Sequence, residues 1–150
     1  MHMKNPYVPA MHFNTRYIVT GHGWFGGGMD VTPCFNDKKL ERWFHSKLKN
    51  ACDKHNKTYY PKYKKWCDQY FYLPHRNESR GIGGIFFDYK KDNYEKDFSF
   101  VRDVGLNFKE IFKKIIKIKN KKKWKKKDKD IQYLKRGRYV CLLYTSQSPR

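Results

Sequence analysis

Apolar and polar residues alternate with a period of two along MHFNTRYIV, Met11 to Val19. Met11, Phe13, Thr15, Tyr17 and Val19 fall on one side, and His12, Asn14, Arg16 and Ile18 on the other. This is the pattern of a half-buried strand whose second side is unusual. A histidine, an amide and a guanidinium follow one another there at steps of about 6.6 Å. TGHG, Thr20 to Gly23, is a turn signal, and WFGGGMDVTP reads as a second strand, so the two predict a hairpin. GGIFFDY, ending at Tyr89, predicts a further strand.

Beyond Asp37 the period changes. Leu40, Phe44, Leu48 and Cys52 recur at every fourth position, Trp43 and Ala51 widen the stripe, and Asp37 stands where an N-cap would. The pattern predicts a helix to about His55. A second helix begins near Pro61, turns Tyr63, Trp66, Cys67, Tyr70 and Phe71 inward, and stops at Pro74. A helix from about Glu95 to Val104 is expected to end at Gly105, before an amphipathic helix with Phe108, Ile111, Phe112, Ile115 and Ile116. DIQYLKRG predicts a short helix ending at Gly137, and RYV after it a last strand. Strands and helices mix without βαβ regularity, which predicts an α+β fold with an antiparallel sheet.

A chain of 150 residues is long enough for one domain with its own core, or for a piece of a larger one, and its 18% aromatic content argues for a packed core. No apolar run is long enough to span a bilayer and no signal-peptide pattern opens the chain, so a soluble protein of the cytoplasm is expected. The net charge of +20 suggests nucleic acid, but its distribution argues otherwise. Lys113 to Arg138 holds fourteen basic and two acidic residues, a net +12 that leaves +8 for all the rest. The excess is one tract around KIKNKKKWKKKDKD, with Trp124 alone among lysines. It lacks the repeated aromatics of a base-stacking surface and reads as a solvated, low-complexity insertion at about 117–130. Binding of RNA, DNA or acidic lipid through this tract is the competing expectation.

Cys34, Cys52, Cys67 and Cys141 have no CxxC spacing and are expected to be free thiols. Cys52 and His55 could form half of a zinc site, but no second pair follows. The stretch HRNESRGIGGIFFDY, His75 to Tyr89, raises the question of an anion. Its glycines follow a helix and precede a strand, the reverse of a phosphate-binding loop. Arg16, Arg76 and Arg80 offer planar forks better suited to a carboxylate, with structural ion pairs as the alternative for each. Of the six histidines, His22 and His55 read as surface residues, while His12 stands out because its side of the strand also carries Asn14 and Arg16. Asp30, just after three glycines, is a candidate to hold a polar N–H of a ligand lying on them.

Four stretches, NPYVPAMHFNTRY, WFGGGMDVTP, YYPKYKKWCDQYFYLPHRNESRGIGGIFFDY and KRGRYV, resemble oxygen-dependent coproporphyrinogen III oxidase in that family's order. The resemblance covers most of residues 2–105 and a patch at 134–140. It implies a flat antiparallel sheet flanked by helices on both sides, and a homodimer in the complete protein. It implies oxidative decarboxylation of two propionates of coproporphyrinogen III to vinyls, with oxygen as co-substrate and no organic cofactor. By the same resemblance His12 and Asp30 are the catalytic candidates, with Asp30 near the pyrrole N–H groups, and Asn14 and Arg16 are substrate-binding. His2, His12, His45 and His75 match four histidines to which a divalent metal is attributed.

The chain also departs from the family's pattern. It starts just before NPYVP, has a short turn between Tyr17 and Trp24, and reads CLLYTSQSPR where the family continues as another strand. Residues 1–140 are therefore expected to be a partial oxidase domain with an incomplete sheet, and 141–150 an unrelated tail of the kind read-through leaves. A mitochondrial location would require a targeting segment ahead of the chain. The alternative function is an inactive fragment that serves only as a basic nucleic-acid or lipid-binding module.

Overall fold

The alternating stretch forms strand β1, Ala10–Thr20, and Gly21, with φ +89°, turns it into β2, His22–Thr32. The computed structural model describes residues 3–74 and 77–145, the side chains of 139–145 excepted. His2, His75 and Arg76 lie outside the described residues. Helices α1, Lys38–Asp53, and α2, Tyr59–Tyr70, follow the hairpin. A two-stranded ribbon, β3 (Tyr72–Leu73) with β4 (Glu78–Ser79), leads to β5, Gly84–Lys90. Two long helices close the chain, α3, Tyr94–Lys119, and α4, Lys126–Thr145. The main sheet is antiparallel in the order β1-β2-β5, and the expected α+β class holds.

Cross-strand partners share a side of the sheet. Met11 faces Val31, Phe13 faces Met29, and Met29 in turn faces Ile85. These apolar residues lie under α1 and α3 in a core that also holds Phe44, Leu48, Phe87, Phe100, Val104, Ile111 and Ile115. Asp37 caps α1 as expected, its carboxylate accepting the Leu40 amide at 2.9 Å. The second side of the sheet pairs His12 with Asp30, Asn14 with Gly28 and Arg16 with Gly26. α2 packs over this side, where Tyr70 stacks on Phe86 at 4.8 Å and Trp66 meets Phe86 edge-on at 5.3 Å.

Three expectations about the helices need correction. Gly105 does not end a helix, because α3 runs through it unbroken. Val101, Val104, Phe108, Ile111 and Ile115 form one buried stripe across that position, and this burial outweighs the roughly 0.5–1 kcal/mol that an interior glycine costs. Gly137 does not end α4 either, and Arg138 to Val140 continue as helix rather than strand. On α2, Tyr63 and Cys67 are buried, but Tyr70 is 47% exposed instead of turned into the core.

The lysine tract is mostly exposed, yet it is tied to the body of the fold. Lys119 pairs with Asp37 of the α1 cap. Asn5 is buried, and its side chain donates to the carbonyls of Asn120 and Lys122 at 3.0 and 2.8 Å. From α4, Gln132 donates to the carbonyl of Met3 at 2.9 Å. The turn after α3 and the start of α4 thus clasp the segment that enters β1. Among the described residues no helix is long and apolar enough to cross a membrane.

Candidate functional site

A cavity of about 440 Å³ opens on the polar side of the sheet. β1 contributes His12, Asn14 and Arg16, β2 contributes Gly28 and Asp30, and β5 contributes Phe86 and Asp88. Trp66, Tyr70 and Phe71 form an aromatic wall opposite, and Tyr89 packs at a tilt against Trp24, 4.6 Å between ring centres, beside the opening. The period of two explains the floor: residues separated by two along each strand project together, and Gly28 of β2 leaves bare backbone between them. Its size and its mixture of aromatic walls with a few convergent polar groups are those of a small-molecule site.

Two polar groupings organise it. In the first, Arg80 donates from Nε and a terminal nitrogen to the two carboxylate oxygens of Asp30, at 3.2 and 2.7 Å, and its guanidinium lies 3.6 Å from the centre of the Phe71 ring. Asp30 Oδ1 is also 3.1 Å from His12 Nδ1. With its oxygens accepting from a guanidinium, Asp30 serves as an acceptor to His12 as well. Nδ1 therefore carries the hydrogen, and the lone pair of neutral His12 is on Nε2. In the second, Arg16 donates to Asn14 Oδ1 at 3.1 Å and to Asp88 Oδ2 at 2.7 Å.

All four residues expected to act on substrate thus line one cavity: His12, Asn14, Arg16 and Asp30. Arg80, read from the sequence as a fork for a ligand's anion, is instead 4% exposed and engaged with Asp30. Asp30 correspondingly has a protein partner in place of a bare carboxylate. Asp88 and the aromatic wall were not anticipated. The alternation of Phe86 and Asp88 carried that signal, since it puts both on the side facing His12 and Arg16.

Of the expected metal ligands only His12 and His45 fall within the described residues, and these two do not share a site. His45, on α1, places Nε2 2.8 Å from the Ile82 carbonyl and Nδ1 3.1 Å from the Tyr60 hydroxyl. Both nitrogens are engaged, and His45 is not among the residues lining the cavity. No cluster of three or more His, Cys, Asp or Glu suited to a metal ion occurs among the described residues. Nor do Cys52 and His55 form a half-site: Cys52 is fully buried, and His55, expected at the surface, lies within hydrogen-bond distance of Asp103, at 2.9 Å, with its side chain 16% exposed.

Comparison with known proteins identifies the family. The sequence profile of the family described as "Coproporphyrinogen III oxidase" matches residues 1–145. The chain is 51% identical over 140 residues to the oxygen-dependent coproporphyrinogen-III oxidase of Rickettsia akari (strain Hartford), covering 93% of this chain and 50% of that one. The proteins of the same name from Rickettsia bellii (strain RML369-C), at 51%, and Rickettsia rickettsii (strain Iowa), at 50%, match over the same shares. The chain spans about half the length of these relatives. A match along nearly all of its length, at half identity, means that the chain belongs to the coproporphyrinogen III oxidase family.

Proposed function

We propose that the cavity on the polar side of the sheet binds coproporphyrinogen III and supports its oxidative decarboxylation to protoporphyrinogen IX. The observation that carries this reading is that His12, Asn14, Arg16 and Asp30 line a single cavity floored at Gly28 by bare backbone. A flat tetrapyrrole needs such a floor, and its propionates need a guanidinium. At each of two propionates the bond to the carboxyl carbon breaks, a carbon–carbon double bond forms, and carbon dioxide leaves. The two electrons released reduce dioxygen to hydrogen peroxide, which takes one hydrogen from the side chain and one proton from solvent.

The residues have distinct parts in this reading. Arg80 fixes Asp30, Asp30 fixes the ring of His12, and Nε2 of His12 accepts a proton from the electron-rich substrate. Arg16 and Asn14 orient a propionate, and the aromatic wall excludes water from the macrocycle face. Dimerisation of the complete protein belongs to the same proposal. Tyr17, Val19, Tyr94 and Phe98 are all 46% exposed or more, and the Tyr17 and Tyr94 rings touch edge-on at 5.7 Å, which is an apolar surface suited to a partner. A cytoplasmic location is part of the proposal as well.

The test is aerobic incubation with coproporphyrinogen III, followed by measurement of vinyl product and hydrogen peroxide. Turnover should fall roughly 10²–10⁴-fold in His12→Ala. Absence of vinyl product from the unsubstituted protein would overturn the reaction, and unchanged turnover in His12→Ala would overturn the role of that residue.

A further inference from the structure

Arg16 and Asp88 sit on strands that are not neighbours. β1 and β5 flank β2, so their 2.7 Å ion pair must pass over the middle strand. It does so at Gly26. A Cβ placed on Gly26 would stand 2.3 Å from Asp88 Oδ1 and 2.8 Å from Arg16 Nε, so the pair occupies the space where any other residue would put its side chain. The strand that carries Asp88 is also deformed there. Phe25 pairs with Lys90 and Gly27 with Phe87, which leaves Asp88 and Tyr89 together opposite Gly26. Tyr89 has φ +52°, a left-handed conformation that is unfavourable for a bulky residue. Bulges of this kind re-aim side chains beside functional sites, and local strain is kept where it serves them.

We propose that Asp88 is an internal stand-in for a ligand carboxylate. It holds the Arg16 guanidinium while the cavity is empty, yields it to a propionate of the bound tetrapyrrole, and reclaims it when that carboxylate has gone. This rests on the reading of the cavity given above. Of the two arginines lining the cavity, Arg80 is buried against Asp30, whereas the Arg16 side chain is 30% exposed and open to a second anion. Exchanging one carboxylate for another at the same fork changes little in the number of charge-assisted hydrogen bonds. Arg16 therefore selects for a carboxylated side chain without holding it tightly. A vinyl group cannot displace Asp88, so loss of the carboxylate closes the pair again and favours departure of that edge of the product.

The experiment is equilibrium binding of coproporphyrin III, a stable tetracarboxylate probe, and of its uncharged tetramethyl ester, by fluorescence. Asp88→Asn should bind coproporphyrin III roughly fivefold more tightly and the ester unchanged. Asp88→Glu, which keeps the charge, should stay within about twofold of the unsubstituted protein for both. In an Arg16→Gln background the gain from Asp88→Asn should vanish. A purely structural role for Asp88 would weaken both ligands alike, and that result, or equal affinity of Asp88→Asn and the unsubstituted protein for coproporphyrin III, would overturn the proposal. If no variant binds either porphyrin while circular dichroism shows native helix content, the cavity is not a tetrapyrrole site and both readings fall together.

Discussion

Arg80 meets Asp30 through two hydrogen bonds, at 2.7 and 3.2 Å, in a pair whose side chains are each only 2% exposed. Removing one partner of such a pair strands the other charge in a medium that solvates it poorly. Arg80→Met should therefore cost about 3–5 kcal/mol of stability, read as a lower urea midpoint. Substituting both together, Arg80→Met with Asp30→Leu, should recover much of that loss while leaving His12 without its partner. If the double variant is as unstable as the single one, the stranded charge is not the cause.

Gly105 offers a substitution of the opposite sign. It lies inside α3, and a Cβ there would meet only Phe13, at an ordinary contact distance of 3.5 Å. Gly105→Ala should stabilise the protein by about 0.5–1 kcal/mol, because alanine loses less backbone freedom in a helix. A lower thermal midpoint would show that the contact with Phe13 is tighter than the geometry indicates.

Asp37 combines a helix cap with an ion pair. The hydrogen bond from Lys119 is the main influence holding its carboxyl below the ordinary value of 3.8, aided by the Leu40 amide. A depressed folded value means that this stabilisation is complete above about pH 3.8 and disappears as pH falls through the lower folded value. Asp37→Ala should cost about 1 kcal/mol at pH 7 through loss of the cap. Asp37→Asn, which keeps the cap and loses the charge, should cost less. Its deficit in urea midpoint should close as the pH is lowered, and a deficit independent of pH would argue against the ion pair.

Burial pushes the thiols of Cys52 and Cys67 up to about 12. At pH 8 almost none of either is thiolate, and neither is accessible. Both should resist alkylation by iodoacetamide in the native protein and react once it is unfolded in urea. Rapid labelling of Cys52 in the folded state would mean that the α1 core opens readily.

Much of this arrangement was legible because the deciding forces are local. Alternation along Met11 to Val19 placed His12, Asn14 and Arg16 on one side, and Asp37 announced α1. What escaped depends on contacts distant in sequence. Nothing near Arg80 marks it as bound to Asp30, fifty residues away, in preference to a ligand. Gly105 resembles a helix end until the apolar stripe is seen packed on the sheet. The bulge at Asp88 and Tyr89 arises from pairing with β2, and no pattern within GGIFFDY foretells a left-handed tyrosine.

The glycine floor has a consequence for how this sequence can change over generations. At Gly26 a side chain would collide with the ion pair, and at Gly28 it would come within 2.4 Å of the Ile85 carbonyl, where nothing flexible can give way. Substitution is thus most restricted at Gly28, whereas at Gly26 it would displace the ion pair. The surface from Lys121 to Lys127 is the reverse, since its exposed side chains can drift in composition with little penalty. The two tolerances lie some hundred residues apart in one chain, and the charge that dominates its composition comes from the stretch with the least to say about its chemistry.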